Sequence, residues 1–528
     1  MSLSQQPSTK HNRLSAYSAK QVLASEALVA KRQQLPMYTL MARAGTAAFD
    51  ALCQRWPSAK SILVLSGKGN NGGDGFIIAR LAHLADLKVR VLISCDVNNI
   101  KGDALTAYQA MIDEGVSDIF TENLAKHISE FSGDIIVDAL FGIGFYGALT
   151  EPMQQLVSSV NDHSGAVLSV DIPSGLCAST GHVNDENAVI ADVTVTFIVY
   201  KQGLLTGQAA NFVGDLVLAD IGLGGAFTDF LASDVLYQSS YPLLNNVRPL
   251  KKRLKTSHKG TIGQVLAIGG DYGMPGAIRL ASEAALRCGA ALVSVCCHQN
   301  NQGLVFNGRP ELMLAPSNAE QLASSAVISK ARVLLLGPGL GQTQWSTALF
   351  DLIVSEILNV DSGKSDTARG NETINKEKQL VLDADALTLL SQTNYSCSRW
   401  ILTPHPKEAA SLLGCDVATI EADRFNAVRS IAKKYGGICI LKGAGSLISD
   451  GSQVIINSTG NAGMASGGMG DVLSGIVAAL VLQTDDYFAA SCLAVYIHGA
   501  AGDIIANNNG QRGILASDLF APLQRLVN

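Results

Sequence analysis

The chain has 528 residues, too many for one hydrophobic core, so two or more domains are expected. Apolar residues make up 47% and charged residues 16%, with 51 glycines, a balance that suits an α/β protein with many glycine turns. With 39 Lys and Arg against 45 Asp and Glu the formal charge is −6, which leaves no basic footprint for nucleic acid or an anionic membrane.

The opening stretch MSLSQQPSTKHNRL is polar and lacks the apolar segment of a signal peptide. Residues 19–55 read as two helices. From 61 to about 220, apolar runs alternate with helical patterns. Strands are expected at 61–66, 88–94, 134–140, 166–171, 192–198 and 215–220, which implies a parallel sheet covered on both faces. The alternation fades through 224–255, where the basic run RPLKKRLKTSHK (248–259) reads as a solvated linker. It resumes at GQVLAIGG (263–270) and continues through ARVLLLGPGLG, QLVLDADAL, WILTPHPKE and ICILKGAGS. The boundary is placed near 235, giving domains 1–235 and 236–528. Residues 361–378, with no apolar face, read as a surface insertion. No run approaches the roughly 18 apolar residues of a membrane span. The ten cysteines are scattered without C-x-x-C or zinc spacing, which suits a reducing cytosol; Cys296 and Cys297 read as buried thiols.

Three loops in the first half end predicted strands with polar groups. GKGNNGGDG follows the first strand, and Gly67, Gly69 and Gly72 fit G-x-G-x-x-G, the dinucleotide fingerprint, with Asp96 downstream. GIGFYG (142–147) fits the same pattern, so the pattern alone does not make a dehydrogenase. Asn70, Asn71 and Asp74 add side-chain oxygens where a pyrophosphate wants bare amides and is repelled by a carboxylate. A turn with Asp74 near a helix start is the alternative reading. Asp138 closes DIIVDAL, and SVDIPSG carries Asp171 and Ser174. Ligands of open parallel sheets bind beyond the strands' carboxyl ends, so Asn71, Asp138, Asp171 and Ser174 are candidates to share one crevice. Hard oxygens converging there suit a hard cation, and an isolated carboxylate suits general acid–base work.

In the second half, GGMGD (467–471) precedes an apolar helix. Stacked amides at a helix N-terminus hold an anion, and Asp471 there can take a proton from a hydroxyl. Asp471 as a simple helix-start residue remains open, and no Walker loop occurs. LKGAGS puts Lys442 at a strand end, for nucleotide phosphates or for a turn. TPHPKE holds His405 between prolines, as a ligand contact or a structural turn. His498 reads as a residue packed on a helix.

GKGNNGGDG, DALFGIGFYG and DIPSG together resemble the epimerase domain of the bifunctional NAD(P)H-hydrate repair proteins, over roughly 20–225. GGMGD resembles the ribokinase-like G-A-G-D, with Met469 for alanine. With SHKGTIGQVLAIGG, GPGLG, DADAL, TPHPKEAASLLG and KGAGS, it resembles the ADP-dependent NAD(P)H-hydrate dehydratase domain over roughly 240–525. The resemblance implies a Rossmann-like three-layer α/β/α domain followed by a ribokinase-like α/β domain. It implies that Asn70, Asn71, Gly72, Gly73 and Asp74, with Gly142, Ile143, Gly144, Phe145, Tyr146, Gly147 and Ala148, contact the hydrate, and that Asn71, Asp138 and Ser174 hold potassium. Asp171 touches the substrate and is the expected acid–base group. In the second domain, Ala277, Gly339, His405 and Asp471 are the implied hydrate contacts. Lys442, Gly443, Ala444, Gly445, Ser446 and Gly470 are the implied nucleotide contacts, with Mg²⁺ and ADP as co-substrate. NADHX and NADPHX are the expected substrates, the cytoplasm the expected location, and a homo-oligomer is allowed. A hydroxymethylpyrimidine-type kinase with an N-terminal regulatory module is the alternative.

Overall fold

The computed structural model describes residues 13–233, 235–238, 250, 252–361 and 378–528. The expected surface insertion (361–378) falls almost wholly outside the described residues, as do the opening twelve residues and part of the basic linker. The chain divides into two compact units, one spanning Ser15–Val235 and one containing Leu236–Asn528.

In the first unit all six expected strands form. A seven-stranded parallel sheet runs Ile119–Phe120, Lys88–Ile93, Ser61–Ser66, Ile135–Ala139, Ala166–Val170, Val193–Phe197, Asp215–Ala219. The inner strands are apolar runs buried on both faces, the pattern of a parallel sheet between helices. The chain builds outward from Ser61–Ser66 on one side, then crosses to Ile135–Ala139 on the other. That reversal opens a crevice beyond the carboxyl ends of these two strands. Helices Ala19–Arg32 and Met37–Arg55 precede the sheet. The short strand Arg13–Tyr17 pairs in parallel with Tyr200–Lys201.

The second unit repeats the device. Seven parallel strands run Leu312–Leu314, Leu292–Cys296, Gln264–Ile268, Val333–Leu336, Gln379–Leu382, Trp400–Leu402, Ile438–Leu441, followed by antiparallel Leu447–Ser449 and Val454–Asn457. The reversal lies between Gln264–Ile268 and Val333–Leu336. Helix Met469–Val481 lies in the core against helix Pro275–Arg287; a Cβ on Gly475 would come within 2.1 Å of Ala281 O, so glycine sets this close crossing. Cys296 and Cys297 are buried, as expected.

Helix Tyr487–Asn509 is long and apolar enough to cross a membrane by length and composition, although the sequence has no continuous apolar run of that length. Of its most apolar window 61% is buried inside the protein, the pattern of a core helix.

Candidate active sites

In the first unit the two loops at the reversal touch through backbone. A Cβ on Gly67 would lie 2.1 Å from Leu140 O, and one on Gly72 would lie 1.9 Å from Gly67 O. A Cβ on Gly69 would meet nothing within 4 Å. Of the three fingerprint glycines, Gly67 therefore serves loop-on-loop packing and Gly72 the tight turn of its own loop.

Helix Asn70–Leu84 begins inside the motif, with Gly69 as a cap that offers no side chain. Asn70, Asn71 and Asp74 line a cavity of about 120 Å³ together with Gly142, Ile143 and Asp171. The structure thus gathers six of the residues expected to face substrate. Gly72 and Gly73 are buried behind this wall, Gly73 against Met41 and Ala104. Gly144 through Ala148 continue along the loop away from the cavity lining. Phe145 packs against Phe141 at a ring distance of 5.2 Å, and Tyr146 is 89% exposed.

Behind the cavity, the fully buried Asp138 accepts from Ser174 Oγ (2.6 Å), Ser174 N (2.8 Å) and Ser169 Oγ (2.9 Å). Burial pushes its carboxyl up, against the pull of these donors. Asn71 lies beside Gly142, and its Oδ1 and Nδ2 are buried without a hydrogen-bond partner. A buried amide oxygen left unpaired against the loop that follows Asp138 fits an oxygen-liganded cation.

Asp171 has φ +64 and is 8% exposed. Its partner, which the sequence reading did not single out, is Lys201: Nζ donates to Asp171 Oδ1 at 2.6 Å and is itself 2% exposed. Glu26, on helix Ala19–Arg32, also lines the cavity. Desolvation raises the Glu26 carboxyl and holds Asp74 well above the ordinary range, Asp171 adding to both. A single lysine ending the apolar run TVTFIVYK was the available signal for Lys201; nothing local marked Glu26.

In the second unit, a Cβ on Gly269 would lie 2.1 Å from Pro338 O, again loop on loop at the reversal. Across this crevice a Cβ on Gly339 would lie 3.1 Å from Ala277 Cβ, so these two expected contacts are neighbours. Helix Met469–Val481 starts from the left-handed cap Gly468, where a Cβ would meet Leu280 on the helix that carries Ala277. Met469 turns its side chain into the core, so the alanine-to-methionine change leaves the amides in place.

Lys442 Nζ reaches this helix start: a Cβ on Gly470 would lie 3.3 Å from it. The same ammonium lies 2.9 Å from Asp383 Oδ1 and 3.7 Å from Glu408 Oε2. Burial, then the neighbouring Asp383, pushes Asp471 up to about 7 despite Lys442, and burial raises Glu408 to about 7 as well. Asp383 and Glu408 sit inside quoted motifs but were not singled out. Ala384, between Asp383 and Asp385, takes φ +49, and Asp385 accepts from Gly341 N at 2.8 Å. A non-glycine residue there is strained and held in place by the structure around it.

His405 caps helix Pro406–Leu413: its Nδ1 accepts from Lys407 N and Glu408 N. Its Nε2 is 3.3 Å from Glu408 Oε1, and desolvation lowers its pKa, which favours the neutral ring. The turn Lys442–Ser446 closes on itself through Gly443 N to Ser446 Oγ at 3.2 Å. Buried Arg424, another group the sequence reading missed, donates to Lys442 O at 3.1 Å, and a Cβ on Gly443 would lie 2.7 Å from its guanidinium. His498 is half-buried on helix Tyr487–Asn509, and desolvation lowers its pKa to about 4, as in a packed histidine.

Fold and sites define a two-unit α/β enzyme with a ligand crevice at the strand reversal of each sheet. Residues 265–525 match the family model described as NAD(P)H-hydrate dehydratase, and residues 37–203 match that of the YjeF-related protein N-terminus. The chain is 40% identical to the bifunctional NAD(P)H-hydrate repair enzyme Nnr of Coxiella burnetii, over 97% of this chain and 99% of that protein. It is 41% identical to the Escherichia coli enzyme of the same name, over 94% and 90%. A solved ADP/ATP-dependent NAD(P)H-hydrate dehydratase from Bacillus subtilis, co-crystallized with ATP/Mg²⁺, is 27% identical with TM-score 0.45, covering 52% of this chain and 93% of that one. The chain belongs to the bifunctional NAD(P)H-hydrate repair enzymes.

Proposed function

We propose that the first unit epimerises the R and S forms of hydrated NADH and NADPH at C6, and that the second dehydrates the S form with ADP. The observation that carries the second step is the meeting of Asp471, Lys442 and the glycine-started helix at one point. A carboxylate with pKa about 7 is matched to taking a hydroxyl proton at neutral pH. Asp471 removes the proton of the C6 hydroxyl, whose oxygen bonds the terminal phosphorus of ADP as the bond to AMP breaks. The helix amides and Lys442 balance the charge that develops. The ring nitrogen then drives out phosphate from C6, and loss of a C5 proton restores the double bond. Three carboxylates gather around one ammonium, an excess of negative charge that suits a cation: Asp383 and Glu408 would hold Mg²⁺ together with the nucleotide phosphates, screening their charge.

In the first unit Asp171 is the acid–base group facing the hydrate. Asn71, Asp138 and Ser174 would hold potassium, which would steady the two loops. The cytoplasm suits ten free cysteines.

The test uses an equilibrium mixture of R and S NADH hydrate with Mg²⁺ and potassium, following the near-ultraviolet absorbance of NADH with ADP, ATP or no nucleotide. Nucleotide-dependent recovery beyond the S fraction, faster than spontaneous epimerisation, is expected. Recovery that stops at the S fraction would remove the epimerase half. No recovery with any nucleotide would sink the repair reading, and a phosphorylated product in its place would favour the kinase.

A further inference from the structure

We propose that Lys201 is the positioning residue of the epimerisation site, fixing one oxygen of Asp171 so that the other is presented to the hydrate. The proposal rests on the epimerase reading of the first unit.

The described hydrogen bonds to the Asp171 carboxylate all end on Oδ1. Lys201 Nζ donates at 2.6 Å, Thr196 Oγ1 at 3.1 Å and Phe197 N at 3.3 Å. Oδ1 is thereby supplied with donors, and Oδ2 is the oxygen left for a ligand. Asp171 is one of the residues lining the cavity.

Lys201 is equally committed. Besides Asp171 it donates to Thr196 Oγ1 at 3.1 Å and to Phe197 O at 2.8 Å. An ammonium has three N–H bonds, and three acceptors occupy them. A lysine so engaged and 2% exposed is not a free nucleophile or a mobile proton donor. Its role is to hold charge and direction. A buried carboxylate without its countercharge would carry a large desolvation cost, so the pair acts as one unit.

The backbone is bent to build this cage. Asp171 sits at φ +64 and Ile198 at φ +67. A β-branched residue in the left-handed region is a real outlier, held there only by its surroundings. Ile198 directly follows Phe197, whose carbonyl accepts from Lys201 and whose N–H donates to Asp171. The strained residue thus lies next to the peptide groups that serve both members of the pair.

The charged neighbours support the division of roles. Glu26, Asp74 and Asp103 line the same cavity, and the first two are pushed toward their protonated forms, while Asp171 holds the ammonium.

The test compares wild type with Lys201→Met, Asp171→Asn and the double variant, reading R-to-S conversion and, on the same chain, dehydration of pure S hydrate. Lys201→Met is expected to lose a hundredfold or more in epimerisation kcat, with KM within a few-fold and dehydration intact. The double variant should be no worse than the poorer single variant, because both remove one unit. Wild-type kcat in Lys201→Met, or losses that multiply in the double variant, would overturn the proposal. If Lys201→Met fails to fold, Thr196→Val removes one partner of each group at constant size; a roughly tenfold kcat loss supports the cage, and an unchanged kcat overturns it. A wild-type chain that cannot epimerise overturns the epimerase reading itself, and is seen before any variant is made.

Discussion

Lys442 Nζ lies 2.9 Å from Asp383 Oδ1, and this half-buried ion pair sits at the start of the helix that carries Asp471. Burial, with the like charge of Asp383, pushes Glu408 and Asp471 up to about 7 although both face this ammonium.

Asp471 must be ionised to take a proton. Dehydration kcat/KM should therefore fall about tenfold per pH unit below about 7 and level off above it. Asp471→Asn should lose roughly 10²–10⁴ in dehydration while R-to-S conversion persists. Single-turnover rates on pure S hydrate across pH 5–9 check both.

The same shift works against stability. A carboxyl whose folded pKa is raised contributes stability that is present below its unfolded value and lost as pH rises through about 7. Ligand-free Asp471→Asn should thus be more stable than wild type at pH 8 by about 1–3 kcal/mol, the gap closing toward pH 4. Thermal unfolding of the two proteins at both pH values measures it.

Gly72→Ala drives a Cβ to 1.9 Å from Gly67 O, whereas Gly69→Ala meets open space at φ −95. The first should destabilise by about 1–3 kcal/mol or more and abolish epimerisation; the second should leave both within error. Denaturant unfolding with the R-to-S assay separates them.

The fold was legible because fully buried parallel strands are short apolar runs, and each expected strand formed. The loops at the sheet reversals were legible from their glycines, although the G-x-G-x-x-G pattern suggested cofactor phosphates where Gly67 and Gly72 relieve backbone crowding. Asp171 and Asp471 were visible because each ends or begins an element. Their partners were not: Lys201 ends an apolar strand, Glu26 sits on an ordinary amphipathic helix, and Arg424 reads as one more surface arginine. Only the folded chain brings these to the carboxylates and the turn they serve. His405 shows the reverse, since its cap bonds would have been expected of Ser or Asp.

Arg424 supports the Lys442–Ser446 turn from below. Arg424→Ala should raise the nucleotide KM about tenfold, near 1.4 kcal/mol, with little change in the KM for hydrate. Initial rates with nucleotide and hydrate varied in turn give both constants.

Asn71→Ala removes the unpaired amide oxygen that lies against Gly142, on the loop after Asp138. Epimerisation by wild type should rise with potassium over a sodium-free, organic-cation background, and that response should vanish in Asn71→Ala. Titrating potassium chloride at constant ionic strength tests this.

The pairing of Arg13–Tyr17 with Tyr200–Lys201 reaches from the earliest strand among the described residues to one of the last in its unit. During synthesis that first strand waits without a partner until the Lys201 segment has left the ribosome. Everything between must form around a place not yet filled. The cage around Asp171 is therefore among the last parts of its unit to be completed. Trimming or fusing sequence at Ala16 and Tyr17, far from any catalytic group in the sequence, would disturb the backbone that carries Lys201.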